Sequence, residues 1–411
     1  MSPGPSRRGL FAGLGATGVA GLAAGGLAGH AVTEGTRPED PALVSARGRV
    51  RATEGRPPAL AVPTPAHVHV LALDLHGDDA SEVRRAAREV LQAWDDHVPA
   101  LHEEGLAGLT EGSPTQGLHP ASLAVTTGVG ASLLERTGLT GQRTDEMEDL
   151  PSFDADDLEP DHCDGDLMLH VGAEDPVVVS SAVDHLVGLV GDHARVRWAL
   201  PGFQRSTATA HDPAATPRNL MGHIDGTVNP DPAEALFDTQ VRAVHGELDL
   251  AWMDGGTYVV VRRIRMLLDT WFSREAKERE AVIGRRLSDG APLGGDHEDD
   301  LPDLAARHDD GTPVIPEHAH IRLASPEATL GARMVRRSFS YDLGWRAGGR
   351  RQAGMLFTAW QADPRQSFTA VQQALDEGGD ALNDYIRHEG SALFAVPATE
   401  PGRPHPLLDH L

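Results

Sequence analysis

An order of strands and helices that occurs twice sets the first limit on this chain. HVHVLALDL (67–75) is a Val- and Leu-rich run with strand periodicity, and SEVRRAAREVLQAWDDHV (81–98) follows it with apolar residues at helical spacing. ASLAVTTGVG and DLMLHVGAEDP read as two further strands, VVVSSAVDHLVGLVGDH as an amphipathic helix and ARVRWAL as a short strand. This is β-α-β-β-α-β, the split βαβ or ferredoxin-like order. It starts again at the strand GGTYVVVRRIRM, with the helix SREAKEREAVIGRRL, the strands ARMVRRSFSYD and AGMLFTAWQ, and SFTAVQQALDEGGDALNDYIRHEG as a closing helix. The repeat implies an α+β architecture of two ferredoxin-like halves, over 63–215 and 216–400, with antiparallel sheets packed together. A long loop, LSDGAPLGGDHEDDLPDLAARHDDGTPVIPEHAH, interrupts the second half, and such loops in compact domains usually carry function.

The chain has 411 residues, 40% of them hydrophobic, enough for one large core or two ordinary ones. A formal net charge of -25, with no basic stripe interleaved with aromatics, argues against nucleic acid as a partner. At the N-terminus Arg7 and Arg8 precede a Gly/Ala-rich apolar stretch, the pattern of a twin-arginine export signal over 1–31, with cleavage expected near Ala31. Its glycines make it a poor anchor, so no stable membrane insertion is expected. Residues 32–62 read as a flexible linker. Cys163 is the single cysteine, which excludes an intrachain disulfide and suits export of a protein folded in the cytoplasm around a cofactor.

MGHIDGTVNP (221–230) holds Asp225 between an apolar lead-in and an Asn-Pro stop. By itself an Asp-Gly pair reads as a turn. EHAHIRLASPE brings His318 and His320 at a spacing that puts both on one face of an extended segment. No CxxC or HExxH set accompanies them, so structural zinc is disfavoured, whereas a single axial imidazole on haem iron needs no such set. Arg336, in MVRRSFSYD, lies in a strand among apolar residues and asks for an anionic partner. An iron-binding imidazole, a carboxylate that can move a proton between peroxide oxygens, and a fixed cation are the groups a haem peroxidase needs.

MGHIDGTVNP, AHIRLASPE, MVRRSFSYD and the segment from GMLFTAWQ to LFAVP have the order and spacing of the dye-decolourising peroxidase family. The chain resembles that family, in its exported twin-arginine branch, over roughly residues 60–400. The resemblance implies one non-covalent haem b in the C-terminal half, and no C-x-x-C-H occurs for covalent attachment. It makes His320 the iron ligand, Asp225 the acid/base and Arg336 the cation on the opposite side. It makes Asp384 the carboxylate that accepts the His320 Nδ1–H, against the plainer reading of an exposed helix residue. Gly226, Thr227 and Val228, then Ser325, Pro326 and Glu327, correspond to haem-contacting segments; Phe357 belongs to the haem face or to the core.

Three departures from the family pattern are His223, which adds a titratable group near Asp225, Ser338, where some subfamilies have an Asn near the distal Arg, and Glu327, where an Arg is common. Trp252, Trp271, Trp345 and Trp360 are candidate electron relays. The implied activity is oxidation of dyes, phenols or other one-electron donors by hydrogen peroxide. A deferrochelatase-like release of iron from haem, with iron-uptake partners, and a non-catalytic haem-binding role stay as alternatives, and a homo-oligomer stays open.

Overall fold

The computed structural model describes residues 48–50, 55–61, 63–106, 112–206, 215–234, 236–246, 248–400 and 402–411. The expected signal peptide lies outside them. Eight strands are present: β1 His67–Leu75, β2 Ala124–Gly130, β3 Leu167–Ala173, β4 Ala194–Phe203, β5 Thr257–Met266, β6 Val335–Trp345, β7 Arg351–Gln361 and β8 Ile386–Val396. The helices used below are α1 Ala80–Glu104, α2 Pro176–Gly188, α3 Ala276–Ile283, α4 His320–Leu323 and α5 Ala370–Gly378.

The first half has strand order β4-β1-β3-β2 and the second β6-β7-β5-β8, so the ferredoxin-like order is built twice. All pairings are antiparallel. Two short seams, Val129↔Ala395 with Gly130↔Phe394 and Phe203↔Ser340, close the two sheets into one barrel. The sheets pack through its lumen, where Val68 and Val70 of the first meet Phe339, Leu356, Trp360 and Phe394 of the second. Alternation along each strand sends the neighbouring side chains outward.

On the first sheet those outward residues, Leu71, Leu73, Leu169 and Val171 among them, bury the apolar stripes of α1 and α2. Asp79 caps α1 by accepting from the backbone N–H of Ser81 and Glu82. His67 and His69 face the same side, near the carboxylates Glu174, Asp175 and Asp184. On the second sheet lie two smaller clusters, one with Met221, Trp271 and Tyr385 and one with Phe153, Val260 and Phe368, and Phe357 packs against both.

Three expectations are corrected. The segment 367–390 is not one closing helix: Gly378 ends α5, Gly379 takes φ 68° and ψ 56°, and IRHEGSALFAV is the eighth strand. A left-handed residue cannot continue a right-handed helix, and glycine takes that conformation with least strain. Within the expected linker, Pro58–Ala61 is a helical turn that belongs to the fold, with Ala59 and Leu60 buried and Ala59 N–H donating to Thr126 Oγ1 at 2.9 Å. Two apolar side chains there have a barrel end to cover. Helix α1 runs past Val98 through Pro99 to Glu104, because Leu101 finds a buried place in the first core. Among the described residues no helix is long and apolar enough to cross a membrane.

Candidate active site

The site forms on the outer face of the second sheet. On β6, Val335, Phe339 and Tyr341 point into the lumen, which sends Arg336, Ser338 and Ser340 outward. Arg336 is fixed through its backbone: its N–H donates to Asn229 Oδ1 and its carbonyl accepts from Asn229 Nδ2, each at 2.9 Å. Its guanidinium donates to the Val228 carbonyl at 3.1 Å. One asparagine thus ties the loop that carries Asp225 to the strand that carries Arg336.

Asp225 is half-buried and its side chain accepts from Asn219 Nδ2 at 3.4 Å, while its N–H donates to the Pro217 carbonyl at 3.0 Å. It lines a cavity of about 240 Å³, counted with its opening to solvent, together with Ser338, Ser340 and Met355. Gly226 has φ 109°, a backbone conformation open mainly to glycine, and it turns the chain directly after the carboxylate. Thr227 Oγ1 donates to Glu298 Oε1 at 2.9 Å, and Val228 is largely exposed. Arg218 donates to the carbonyls of Gly222, Leu287 and Ser288, so the long loop and the Asp225 loop hold each other.

His320 is the first residue of α4, a single turn locked by Arg322, whose guanidinium donates to the carbonyls of Ile315 and Pro316. Its Nδ1–H donates to Asp380 Oδ2 at 2.7 Å. The partner is therefore Asp380 and not Asp384, which is exposed at the end of a 3₁₀ turn, Ala381–Asp384. The helix stop at Gly378-Gly379 is the reason. Residue 380 becomes the cap of that turn, accepting from Leu382 N–H at 3.0 Å, and its second oxygen reaches the imidazole. Gly378 also admits α4: a Cβ there would collide with the Leu323 side chain.

Asp380 is almost fully buried. Burial opposes a charged imidazole, but Asp380 outweighs it and holds the His320 pKa above its ordinary value; Arg336 opposes that proton and Asp225 favours it. The three residues singled out in the sequence therefore share one electrostatic site. His318 does not share a face with His320: it donates from Nδ1 to the Gly378 carbonyl at 2.8 Å and is exposed, because the segment turns helical at His320 instead of staying extended.

The remaining expected residues fall nearby to different degrees. Phe357 stands outward on β7, opposite Ser338 across the ladder and 6.2 Å from the Phe368 ring. Ser325 is buried and accepts through its carbonyl from Thr329, whereas Pro326 and Glu327 are exposed. His223 is buried against Trp271, and burial first, then Arg279 and Arg218, depress its pKa to about 4; it is a neutral core residue at ordinary pH. Of the four candidate tryptophans, Trp252, Trp271 and Trp360 are buried and Trp345 is exposed.

Sequence reasoning missed Asp380, Asn219, Asn229 and Glu298. The Gly-Gly-Asp run was the available sign for the first, a helix stop followed by a cap. Nothing local marks the others, whose partners lie elsewhere in the chain.

The donor set bears on what such a site holds. Among the described residues no three His, Cys, Asp or Glu side chains converge on a common metal position. An imidazole anchored at Nδ1 by a buried carboxylate offers Nε2 as one metal ligand, which suits a metal that arrives with its own macrocyclic donors.

Two family models match this chain: Dyp-type peroxidase, N-terminal, over residues 57–204, and Dyp-type peroxidase, C-terminal, over 216–401. The chain belongs to the Dyp-type peroxidase family. It is 51% identical to a dye-decolorizing peroxidase of Thermobifida fusca, across 97% of this chain and 96% of that protein. A deferrochelatase of Yersinia pseudotuberculosis is 32% identical over 95% of this chain and 91% of its own length. Among solved structures, a DyP-type peroxidase from Streptomyces coelicolor superposes with TM-score 0.84 at 41% identity, covering 90% of this chain and 98% of that one. Ferric DtpA from Streptomyces lividans gives TM-score 0.84 at 41% identity, covering 90% and 100%. The two-halved barrel is thus the Dyp-type fold, and the chain is an enzyme of the peroxidase class.

Proposed function

We propose that this Dyp-type peroxidase holds one non-covalent haem b against the outer face of the second sheet, with His320 as the iron ligand. The observation that carries the reading is the His320–Asp380 contact, made on the same face as Asp225 and Arg336. Phe357, the segment Gly226, Thr227 and Val228, and the segment Ser325, Pro326 and Glu327 would hold the macrocycle, as membership of the family implies. When bound, the haem supplies the iron at which hydrogen peroxide is reduced and donors are oxidised one electron at a time.

The protein's part is proton transfer and charge placement. Asp225 takes the proton from one peroxide oxygen and returns it to the departing one. Arg336, set by Asn229, offsets the negative charge that grows as the O–O bond breaks. Asp380 keeps the Nδ1 proton of His320 in place, which makes Nε2 a stronger ligand. The expected donors are dyes, phenols and other one-electron reductants, with Trp345 as the surface entry for bulky ones. The twin arginines Arg7 and Arg8 support export by the twin-arginine route, and the division at 215/216 is the proposed border of the halves.

The test is the visible absorption spectrum of wild type and His320→Ala before and after one equivalent of peroxide. A Soret band that responds to peroxide in wild type and is lost or displaced in the variant is expected. An unchanged band in the variant would remove His320 as ligand. The deferrochelatases support a second reading, release of iron from haem with iron-uptake partners; metal-free protoporphyrin after incubation with haem is its signature, and its absence refutes that reading.

A further inference from the structure

The carboxylate of Asp225 sits on a small, closely tied hairpin. Arg218 and Ile224 form an antiparallel bridge, and a hydrogen bond flanks it on either side: Asp225 N–H donates to the Pro217 carbonyl and Asn219 N–H to the His223 carbonyl, each at 3.0 Å. Gly222, at φ 88°, turns the chain, and its N–H donates to the Asn219 carbonyl at 3.0 Å. Alternation puts residues 219 and 225 on one face of this hairpin, diagonally across from each other. Both line the cavity that also touches Ser338 and Ser340.

The direction of the Asn219 amide is decided by its own turn. Its Oδ1 accepts from the Met221 N–H at 3.0 Å, so Nδ2 is the end that faces Asp225, and it donates to Asp225 Oδ2 at 3.4 Å. Among the described residues no other side chain donates to that carboxylate. A carboxylate turns in a broad well about its last torsion, and one fixed donor narrows that freedom. With Oδ2 held by Asn219, Oδ1 is the oxygen left to take and return a proton.

We infer that Asn219 is a positioning residue for the reaction with peroxide: its amide holds Asp225 Oδ2 and thereby presents Oδ1 to the peroxide. The inference rests on the reading of Asp225 as the acid/base and adds to it the group that aims the carboxylate. Asn219 itself carries no proton in the reaction. A reacting group misplaced by about 1 Å can lose on the order of a hundredfold in rate, so the loss of this donor is felt at the proton-transfer step.

The test is stopped-flow absorption of the haem-loaded full chain, with the reaction with peroxide and the later reaction with a reducing dye timed separately. Asn219→Ser keeps an oxygen for the Met221 N–H but is too short to reach Asp225. Asn219→Asp keeps the size and that acceptor, and turns the donor into a second carboxylate oxygen. Both variants are expected to react with peroxide roughly ten- to a hundredfold more slowly, with the Soret position, the melting temperature and the dye step near wild type. Asp225→Ala, run alongside, separates the two readings. If it is slow with peroxide while both Asn219 variants match wild type, the positioning role is overturned and the acid/base reading stands. If it reacts with peroxide as fast as wild type, the acid/base reading falls and takes the positioning role with it. Asn219 variants that slow both steps alike, or displace the Soret band, would assign Asn219 to the turn alone and overturn the inference.

Discussion

At the residue scale, the two aspartates near His320 separate by environment and not by distance along the chain. Asp380 is buried, caps a turn with one oxygen and meets the imidazole with the other; Asp384 points to solvent. Asp380→Asn is expected to weaken haem retention or turnover by about ten- to a hundredfold, whereas Asp384→Asn leaves both near wild type. Haem titration of the two variants side by side checks this, and equal effects would contradict the geometry. Asp225→Ala is expected to lose peroxidase turnover by on the order of a hundred- to ten-thousandfold while keeping its absorption spectrum. Full turnover in that variant would return Asp225 to the role of a turn residue.

At the scale of elements, the site depends on where helices stop. Helix α5 has to end at Gly378 for Asp380 to face α4, and α4 has to approach closely for His320 to meet it. Gly378→Ala should push Leu323 and α4 outward, with a stability loss of roughly 1–3 kcal/mol and weaker haem binding. Thermal melts and haem titration read both, and a variant as stable as wild type would show that Leu323 has room to move. Asn229 plays the corresponding part on the other side, since its side chain is the shared hydrogen-bond partner of the Arg336 backbone. The closing segment misled sequence reasoning for a related reason: ALNDYIRHEG has helix-forming residues, and only two glycines and the pairing partners β2 and β5 turn it into a capped stop and a strand.

At the scale of the whole molecule, acid should unfold this barrel through its buried histidines. Burial depresses His170, His223 and His405 from 6.5 to about 4. In the unfolded chain each takes a proton near pH 6.5, so the unfolded state binds more protons between pH 6.5 and 4. Their contribution is therefore fully present above pH 6.5 and is lost as pH falls through about 4, on the order of 3 kcal/mol per group. Melting temperature should fall steadily across that window, and His405→Asn, which keeps a cap for the Pro406–Asp409 turn, should flatten the fall. A melting temperature independent of pH from 6.5 to 4 would contradict the burial of these rings.

The sequence alone determined the repeated strand and helix order and singled out Asp225, His320 and Arg336 as a set. These follow from periodicities and short motifs, which are local properties of a chain. Only the tertiary structure decided that Asp380 and not Asp384 meets His320 and that Asn229 joins two distant segments. Those depend on how far a helix runs before its neighbours stop it and on which face of a closed barrel a side chain meets. The physical reason is that such contacts are made between residues far apart in sequence, where burial and competing partners set the outcome.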